Sequence, residues 1–195
     1  IKKYLPNFKG KKAFDLGCGR GRIAFYLNKI GMQTTGIDLS EKTIKELQNK
    51  SKNINFYYGD IFSFDFTKLN HFDLVISSEV MEHIQIDKRN AYVRIIDKLL
   101  KKNGLLIITT PNMKEMMRLG WEAEQPLDFW MTSEELKVYF KEKFEIIEFQ
   151  TCSFCFRNIL INRIWKLIPF VNYFADKIIK YTQRGKYLAF IAKKK

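Results

Sequence analysis

Lys12-Ala13-Phe14-Asp15-Leu16 runs straight into Gly17-Cys18-Gly19-Arg20-Gly21, and from Arg22 the apolar residues Ile23, Tyr26, Leu27 and Ile30 take helical spacing. A short apolar run, a glycine cluster and an amphipathic stretch in that order describe a buried strand turning tightly into a helix. The glycines let the chain turn and let a ligand lie against bare main chain, while the helix points its positive N-terminus at the same spot. The spacing argues against a dinucleotide fingerprint. G-x-G-x-x-G needs a third glycine where Arg22 stands, and Gly21 arrives one residue early. A diphosphate would also be repelled by the carboxylate of Asp15. The loop suits a zwitterionic or cationic ligand better.

Outward from this loop the same alternation continues. Strands are expected at Gln33–Asp38, Asn55–Tyr58, Phe72–Ser77, Leu105–Thr109, Phe144–Phe149 and Tyr187–Ala192. Helices are expected at Arg22–Ile30, at Glu41–Lys50 behind a Ser40 cap, at Lys88–Lys101 closed by Asn103-Gly104, and at Ser133–Lys143 behind a box opening at Ser133. Strands alternating with helices of this size imply β-α-β crossovers and a mainly parallel sheet with helices on both faces. In such sheets ligands sit beyond the carboxyl ends of the strands, where strand order reverses. Two acids stand at such ends. Asp38, about 20 residues past the glycine loop, is placed for ribose hydroxyls, and Asp60 for an exocyclic amine. Each alone reads equally as the cap of a turn, but three acids after three successive strands make coincidence a poor account.

With those residues in view the chain resembles the class I S-adenosylmethionine-dependent methyltransferases over nearly its whole length. The carriers are the Asp15–Gly21 loop, Asp38, Asp60, the segment Phe72–Ile84 with Glu82-His83-Ile84, and Gly104–Asn112 ending Thr109-Thr110-Pro111-Asn112. The resemblance implies an α/β, Rossmann-like, seven-stranded, mostly parallel sheet with its last strand antiparallel, and S-adenosyl-L-methionine as cofactor. It places Gly17 and Gly19 at the methionine part, Asp38 at the ribose and Asp60 with Ile61 at the adenine, with Asp15, Gly21, Leu39 and Ser77 also among the cofactor-binding residues. Glu82, Asn112, Trp121 and Trp130 are the residues expected at the substrate. Methyl transfer to a high-pKa oxygen needs a base near neutrality, and His83 is the candidate; its other reading is a structural cap after Glu82. His71 precedes its strand, on the wrong edge. Glu79-x-x-Glu82-His83 is similar to the metal-binding stretch of small-RNA 2′-O-methyltransferases, yet no His follows His83, Asp128 is the one carboxylate in the corresponding segment, and no metal is expected.

The 195 residues are 46% apolar and 28% charged, enough for one core-forming domain spanning 1–195. No run reaches the roughly 18–20 apolar residues of a membrane span, no secretory signal is visible, and no repeat or low-complexity tract recurs. Cys18, Cys152 and Cys155 make no disulfide framework, which points to a reducing, cytoplasmic setting. Cys152-Ser153-Phe154-Cys155 lacks the helix start of a redox motif and reads as two buried thiols. The chain opens at Ile1 rather than Met, which points to residues before it.

Charge is the unusual quantity, +13 overall, with ten basic residues against Asp176 alone in 156–195. Residues 156–185 mix Ile, Leu, Trp and Phe with Lys and Arg, broken by Pro169. They read as a basic amphipathic helical insertion that meets a membrane surface, forms a dimer contact or covers the sheet edge. Residues 111–131 lack a clear period and read as a lid or substrate loop, or as an irregular connection whose aromatics fill core. The sum is a small-molecule methyltransferase, with a lipid-linked or glycan precursor as acceptor and oxygen as the methylated atom. An RNA 2′-O-methyltransferase-like enzyme, drawing on the positive charge, is the less favoured alternative. A cofactor-binding module without turnover is the third.

Overall fold

β1 (Lys12–Leu16) buries every residue after the first, because it lies inside a sheet covered on both faces. The structure is a computed structural model and describes residues 1, 3–69, 71–120, 129–154 and 184–195. In chain order the elements are β1, α1 (Arg22–Lys29), β2 (Gln33–Asp38), α2 (Glu41–Lys50), β3 (Asn55–Tyr58), β4 (Phe72–Ser78), α3 (Arg89–Leu99), β5 (Leu100–Pro111), α4 (Met113–Leu119), α5 (Ser133–Phe140), β6 (Phe144–Phe154) and β7 (Gly185–Lys194). The seven strands stand in the order β3-β2-β1-β4-β5-β7-β6. The β1–β2, β2–β3, β1–β4 and β4–β5 pairs are parallel, and β7 runs antiparallel to both β5 and β6. This is the Rossmann-like sheet expected from the sequence.

Side chains alternate across β1 and divide the core. Phe14 and Leu16 join Val75 and Leu106 beneath Tyr92, Val93, Ile96 and Leu99 of α3 and Leu136 and Phe140 of α5. Ala13 joins Leu74, Ile76 and Leu105 beneath Leu27 of α1. A third cluster packs Ala24 of α1 against Ile44 and Leu47 of α2 and Phe56 of β3. The sequence passes from β1 to β2 and β3 on one side, then crosses back to β4 and β5 on the other. The turns after β1 and β4 therefore part at the topological switch point and open a crevice.

Several boundaries differ from the sequence reading, each for a local reason. The helix expected over Lys88–Lys101 ends at Leu99, because Leu100 pairs with Phe72 and pulls the chain into β5. Asn103-Gly104 is thus no helix cap. Asn103 holds φ 61 inside β5, beside the register shift between Phe72 and Leu74. Met113–Leu119, expected without period, is α4, closed by Gly120 at φ 72. The remainder of the supposed lid, 121–128 with Trp121, lies outside the described residues. So does 155–183, which holds Cys155 and nearly all of the basic insertion; of that insertion Arg184 and Gly185 are described. Among the described residues no helix is long and apolar enough to cross a membrane. Cys18 is buried, as small packing beneath Gly36, and burial pushes its thiol pKa up; Cys152 is half-buried in β6.

The box before α5 opens one residue earlier than expected, at Thr132. Its Oγ1 accepts from the Glu135 N–H at 3.2 Å while Glu135 Oε2 accepts from the Thr132 N–H at 2.8 Å. A cap at Ser133 would place Leu136, which has no acceptor, at the third helical position. Thr132→Ala should cost about 1 kcal/mol in urea unfolding, and Thr132→Ser should recover most of it.

Candidate active site

The crevice is bounded on one side by the glycine loop. The N–H groups of Gly17 and Cys18 both donate to Ile37 O, at 3.0 and 2.9 Å, so the loop folds over the end of β2. Gly17 has φ 77, and a Cβ there would stand 2.3 Å from Val80 Cγ2. The turns after β1 and β4 touch at this point. Gly19, at φ 47, has nothing within 4 Å of where its Cβ would be, so it presents bare main chain to open space. Gly21 lies off the cavity wall; it starts α1 at φ 74 and packs beneath Leu47 and Phe25.

The acids take up ordered positions around this loop. Asp38 Oδ2 accepts from the Gly19 N–H at 2.7 Å and its Oδ1 from the Ser40 N–H at 3.0 Å. Asp60 Oδ1 accepts from the Phe62 N–H at 2.9 Å. Asp15 is only 1% exposed yet reaches the cavity wall, with Oδ2 accepting from the Ala24 N–H at 3.0 Å. Burial raises its pKa from the ordinary 3.8 to about 7; the Ala24 hydrogen bond works against this rise and the charge of Asp38 adds to it.

The facing side descends from β4. Ser77 turns onto the face that α3 covers, fully buried and hydrogen-bonded to the Tyr92 hydroxyl, and lies off the cavity. The wall position belongs to its neighbour Ser78, whose Oγ is 2.7 Å from Thr109 Oγ1. Thr109 Oγ1 donates in turn to Glu79 Oε1 at 2.9 Å, and the Glu79 N–H donates to Thr109 O at 2.9 Å. Glu79 is held at φ 56, a costly conformation for a side-chain-bearing residue. Burial raises its carboxyl pKa, opposed by the Thr109 bond and the charge of Lys186. The chain then makes a 3-10 turn, Met81–His83. His83 is exposed and lines the cavity, its N–H donating to Val80 O at 3.0 Å.

The cavity between the two sides has a volume of about 900 Å³, a size that takes a small ligand with a reaction partner. Asp15, Gly17, Gly19, Asp38, Leu39, Asp60, Ile61 and His83 all reach it. Leu39, 68% exposed, and Ile61 give its far end apolar surface.

Of the residues expected at the substrate, the three that the structure describes stand off the cavity wall. Glu82 is 3% exposed, its Oε2 accepting from Thr110 Oγ1 at 3.1 Å. Asn112 is buried and its amide donates to Gly185 O at 2.9 Å. Trp130 is half-buried and off the wall. His71 lies with Lys12, Lys101 and Lys194 at the opposite end of the sheet. Sequence reasoning did not select Ser78, Glu79, Gln85 and Lys88 on the β4 side, or Arg20, Arg22 and Phe62. Alternation along β4 carried a signal for Ser78, and Glu79 stood in the Glu79-x-x-Glu82-His83 stretch, whose resemblance pointed to metal rather than to the cavity wall; the other loop residues carried none. Among the described residues no group of three or more His, Cys, Asp or Glu is gathered closely enough to hold a metal ion.

The family model described as "Methyltransferase domain" matches residues 7–151. The chain belongs to the class I S-adenosylmethionine-dependent methyltransferases. A ubiquinone biosynthesis O-methyltransferase of Glaesserella parasuis is 32% identical over 111 residues, covering 53% of this chain and 46% of that protein. The protein-lysine N-methyltransferase EFM4 of Saccharomyces cerevisiae is 28% identical over 135 residues, covering 60% and 58%. The chain thus spans about half the length of the curated relatives it matches. A TehB-like SAM-dependent methyltransferase from Corynebacterium glutamicum superposes with TM-score 0.67 at 23% identity, over 100% of this chain and 85% of that one, a likeness of fold.

The cofactor of this methyltransferase family is S-adenosylmethionine, and the residues present suit it. Gly19 leaves main chain bare beside the cavity, a buried carboxyl stands behind it, and oriented acids end β2 and β3.

The raised pKa of Asp15 fixes the sign of one pH effect. The unfolded chain releases this proton near 3.8 and the folded chain near 7, so this contribution to stability is full below about 4 and is lost as pH rises through about 7. In cofactor-free protein Asp15→Asn should therefore melt higher than wild type at about pH 8, with the gap closing toward about pH 4. Paired thermal melts across that range measure it.

Proposed function

We propose that this chain transfers the methyl group of S-adenosylmethionine to a hydroxyl oxygen of a small, largely apolar acceptor, with His83 as the base. The observation that carries the reading is an exposed imidazole on the cavity wall just past β4, across from the acids that suit the cofactor. Among the described residues His71 is the other imidazole, and it lies at the far end of the sheet. The 32% identity to a ubiquinone biosynthesis O-methyltransferase supports oxygen and a lipid-linked acceptor, while the likeness to a lysine methyltransferase makes nitrogen the competing outcome.

The cofactor, when bound, supplies an electrophilic methyl on a sulfonium, so the protein mainly binds, aligns and excludes water. Asp15 and the Gly17–Gly19 main chain take the amino-acid end, Asp38 accepts from the ribose hydroxyls, and Asp60 with Ile61 receives the adenine. The acceptor lies against His83, Gln85 and Val80. Transfer of that methyl to the acceptor's hydroxyl oxygen would leave the donor as its neutral thioether, and His83 would take the hydroxyl proton. Alignment of this kind is worth on the order of 7–11 kcal/mol of barrier. An ionised Asp15 suits the cationic donor, so donor affinity should fall below about pH 7, toward tenfold per pH unit, and this dependence should flatten in Asp15→Asn.

Labelled donor incubated with the chain and a cell lysate, followed by separation into lipid, small-metabolite, nucleic-acid and protein fractions, tests the acceptor. Label in the lipid or small-metabolite fraction is expected. Label in RNA or protein would replace this reading with a nucleic-acid or lysine acceptor, and calorimetric donor binding without transfer would leave a binding module. His83→Ala should slow transfer by about 100- to 10,000-fold while donor affinity holds within about twofold; an unchanged rate removes His83 as the base.

A further inference from the structure

Arg89 begins α3, is 4% exposed, and makes no ion pair with any carboxylate among the described residues. A guanidinium is costly to bury, so its contacts say what it is for. Nε donates to Ile84 O at 3.3 Å and Nη2 to Phe129 O at 2.6 Å. The group lies 5.8 Å from the ring centroid of Tyr139 in α5, and the carboxyl pKa of Glu135 on that helix is held down by its hydrogen bonds from Thr132, with the charge of Arg89 adding to them. Ile84 directly follows the Met81–His83 turn.

Phe129 is gripped twice by the same stretch of chain. Its N–H donates to Glu82 O at 2.8 Å, and its carbonyl is the one that Arg89 holds. Two residues on, Met131 bridges Asn112, and Met131 O accepts from the Met113 N–H at 3.1 Å. The chain from 129 to 131, with Trp130 at its centre, is thus fastened at one end to the His83 turn and at the other to the start of α4. The turn is a single 3-10 winding with exposed neighbours at Gln85, Ile86 and Asp87. The turn's internal hydrogen bonds, His83 N–H to Val80 O at 3.0 Å and Ile84 N–H to Met81 O at 3.2 Å, are joined by the Thr110 bond to buried Glu82, and the Ile84 carbonyl at its end is the one that Arg89 holds.

We propose that Arg89 is a positioning residue for methyl transfer: its buried guanidinium fastens the His83 turn to the Phe129–Met131 segment and so sets where His83 stands. This rests on the reading of His83 as the base. The planar fork suits the task, since it reaches two carbonyls in different segments at once and stays charged at every working pH. A neutral side chain would leave both carbonyls without their donor inside the protein.

Arg89→Met keeps length and apolar bulk while removing the donors, and Arg89→Lys keeps the charge. By amide hydrogen exchange, His83, Ile84 and Phe129 should lose protection by about tenfold or more in Arg89→Met, while Gly17 and Cys18 on the facing loop keep theirs. Donor affinity by calorimetry should hold within about twofold, transfer of label into the lysate lipid and small-metabolite extract should fall about 100-fold, and Arg89→Lys should recover part of both losses. Protection lost evenly across sheet and helices would reduce Arg89 to a general stabiliser and overturn the proposal. So would a loosened turn with an unchanged transfer rate. Wild-type protein that transfers no label at all would overturn the acceptor reading instead, and the exchange data would still decide the clamp.

Discussion

There is no room for a side chain at residue 17. With Val80 Cγ2 only 2.3 Å from where a Cβ would stand, the turn after β1 and the turn after β4 are in van der Waals contact through glycine backbone. Everything about the crevice follows from that approach. It fixes the separation between the loop that suits the cofactor and the turn that carries His83. In-line displacement tolerates little error in that separation, since a misplacement of about 1 Å can cost on the order of 100-fold in rate.

The two sides are held by different means. The cofactor side is stiff because hydrogen bonds from two adjacent backbone N–H groups tie it to the end of β2, and because Asp38 grips Gly19. Its stability is compromised at one place, the buried carboxyl of Asp15, whose raised pKa reports burial away from water beside the charge of Asp38. The β4 side carries its cost in the backbone. Glu79 sits in a left-handed conformation and is kept there by Thr109 through both backbone and side chain. Both costs lie on the cavity wall, where a ligand can compensate them.

The sheet was legible because burial on both faces leaves apolar runs that turn residues interrupt, and because acids at or just past the carboxyl ends of β1, β2 and β3 marked its carboxyl edge. The site was legible where main-chain geometry demands a residue type, as at Gly17 and Gly19, or where an acid ends a strand. It was less legible where one residue of register decides the face. Ser77 and Ser78 are adjacent in sequence, yet alternation sends the first to Tyr92 and the second to the cavity. Glu79 and Glu82 are both carboxylates of one short segment, and a turn of 3-10 helix leaves the first on the wall and buries the second against Thr110. Asn103-Gly104 and Ser133 misled for a related reason. Turn and cap residues signal a change of direction without saying which element changes, and pairing of Leu100 with Phe72, or an acid three residues after Thr132, decides the matter.

Arg89 is the case least accessible to sequence reasoning, because an arginine opening a helix looks like a solvated charge. Its role depends on Phe129, 40 positions away, whose backbone it reaches. Its grip on Ile84 O and Phe129 O thus joins two segments that lie far apart in the chain. The glycine loop borrows rigidity from β2, and the His83 turn borrows it from a buried cation and the segment leading to α5. A fold that keeps its sheet constant can then alter the acceptor side by changing that segment while the Gly17–Val80 contact stays in place. The Gly17–Val80 contact and the acids stand apart from the acceptor side, whereas the proposed Arg89 clamp acts on the turn that brings His83 to the cavity wall.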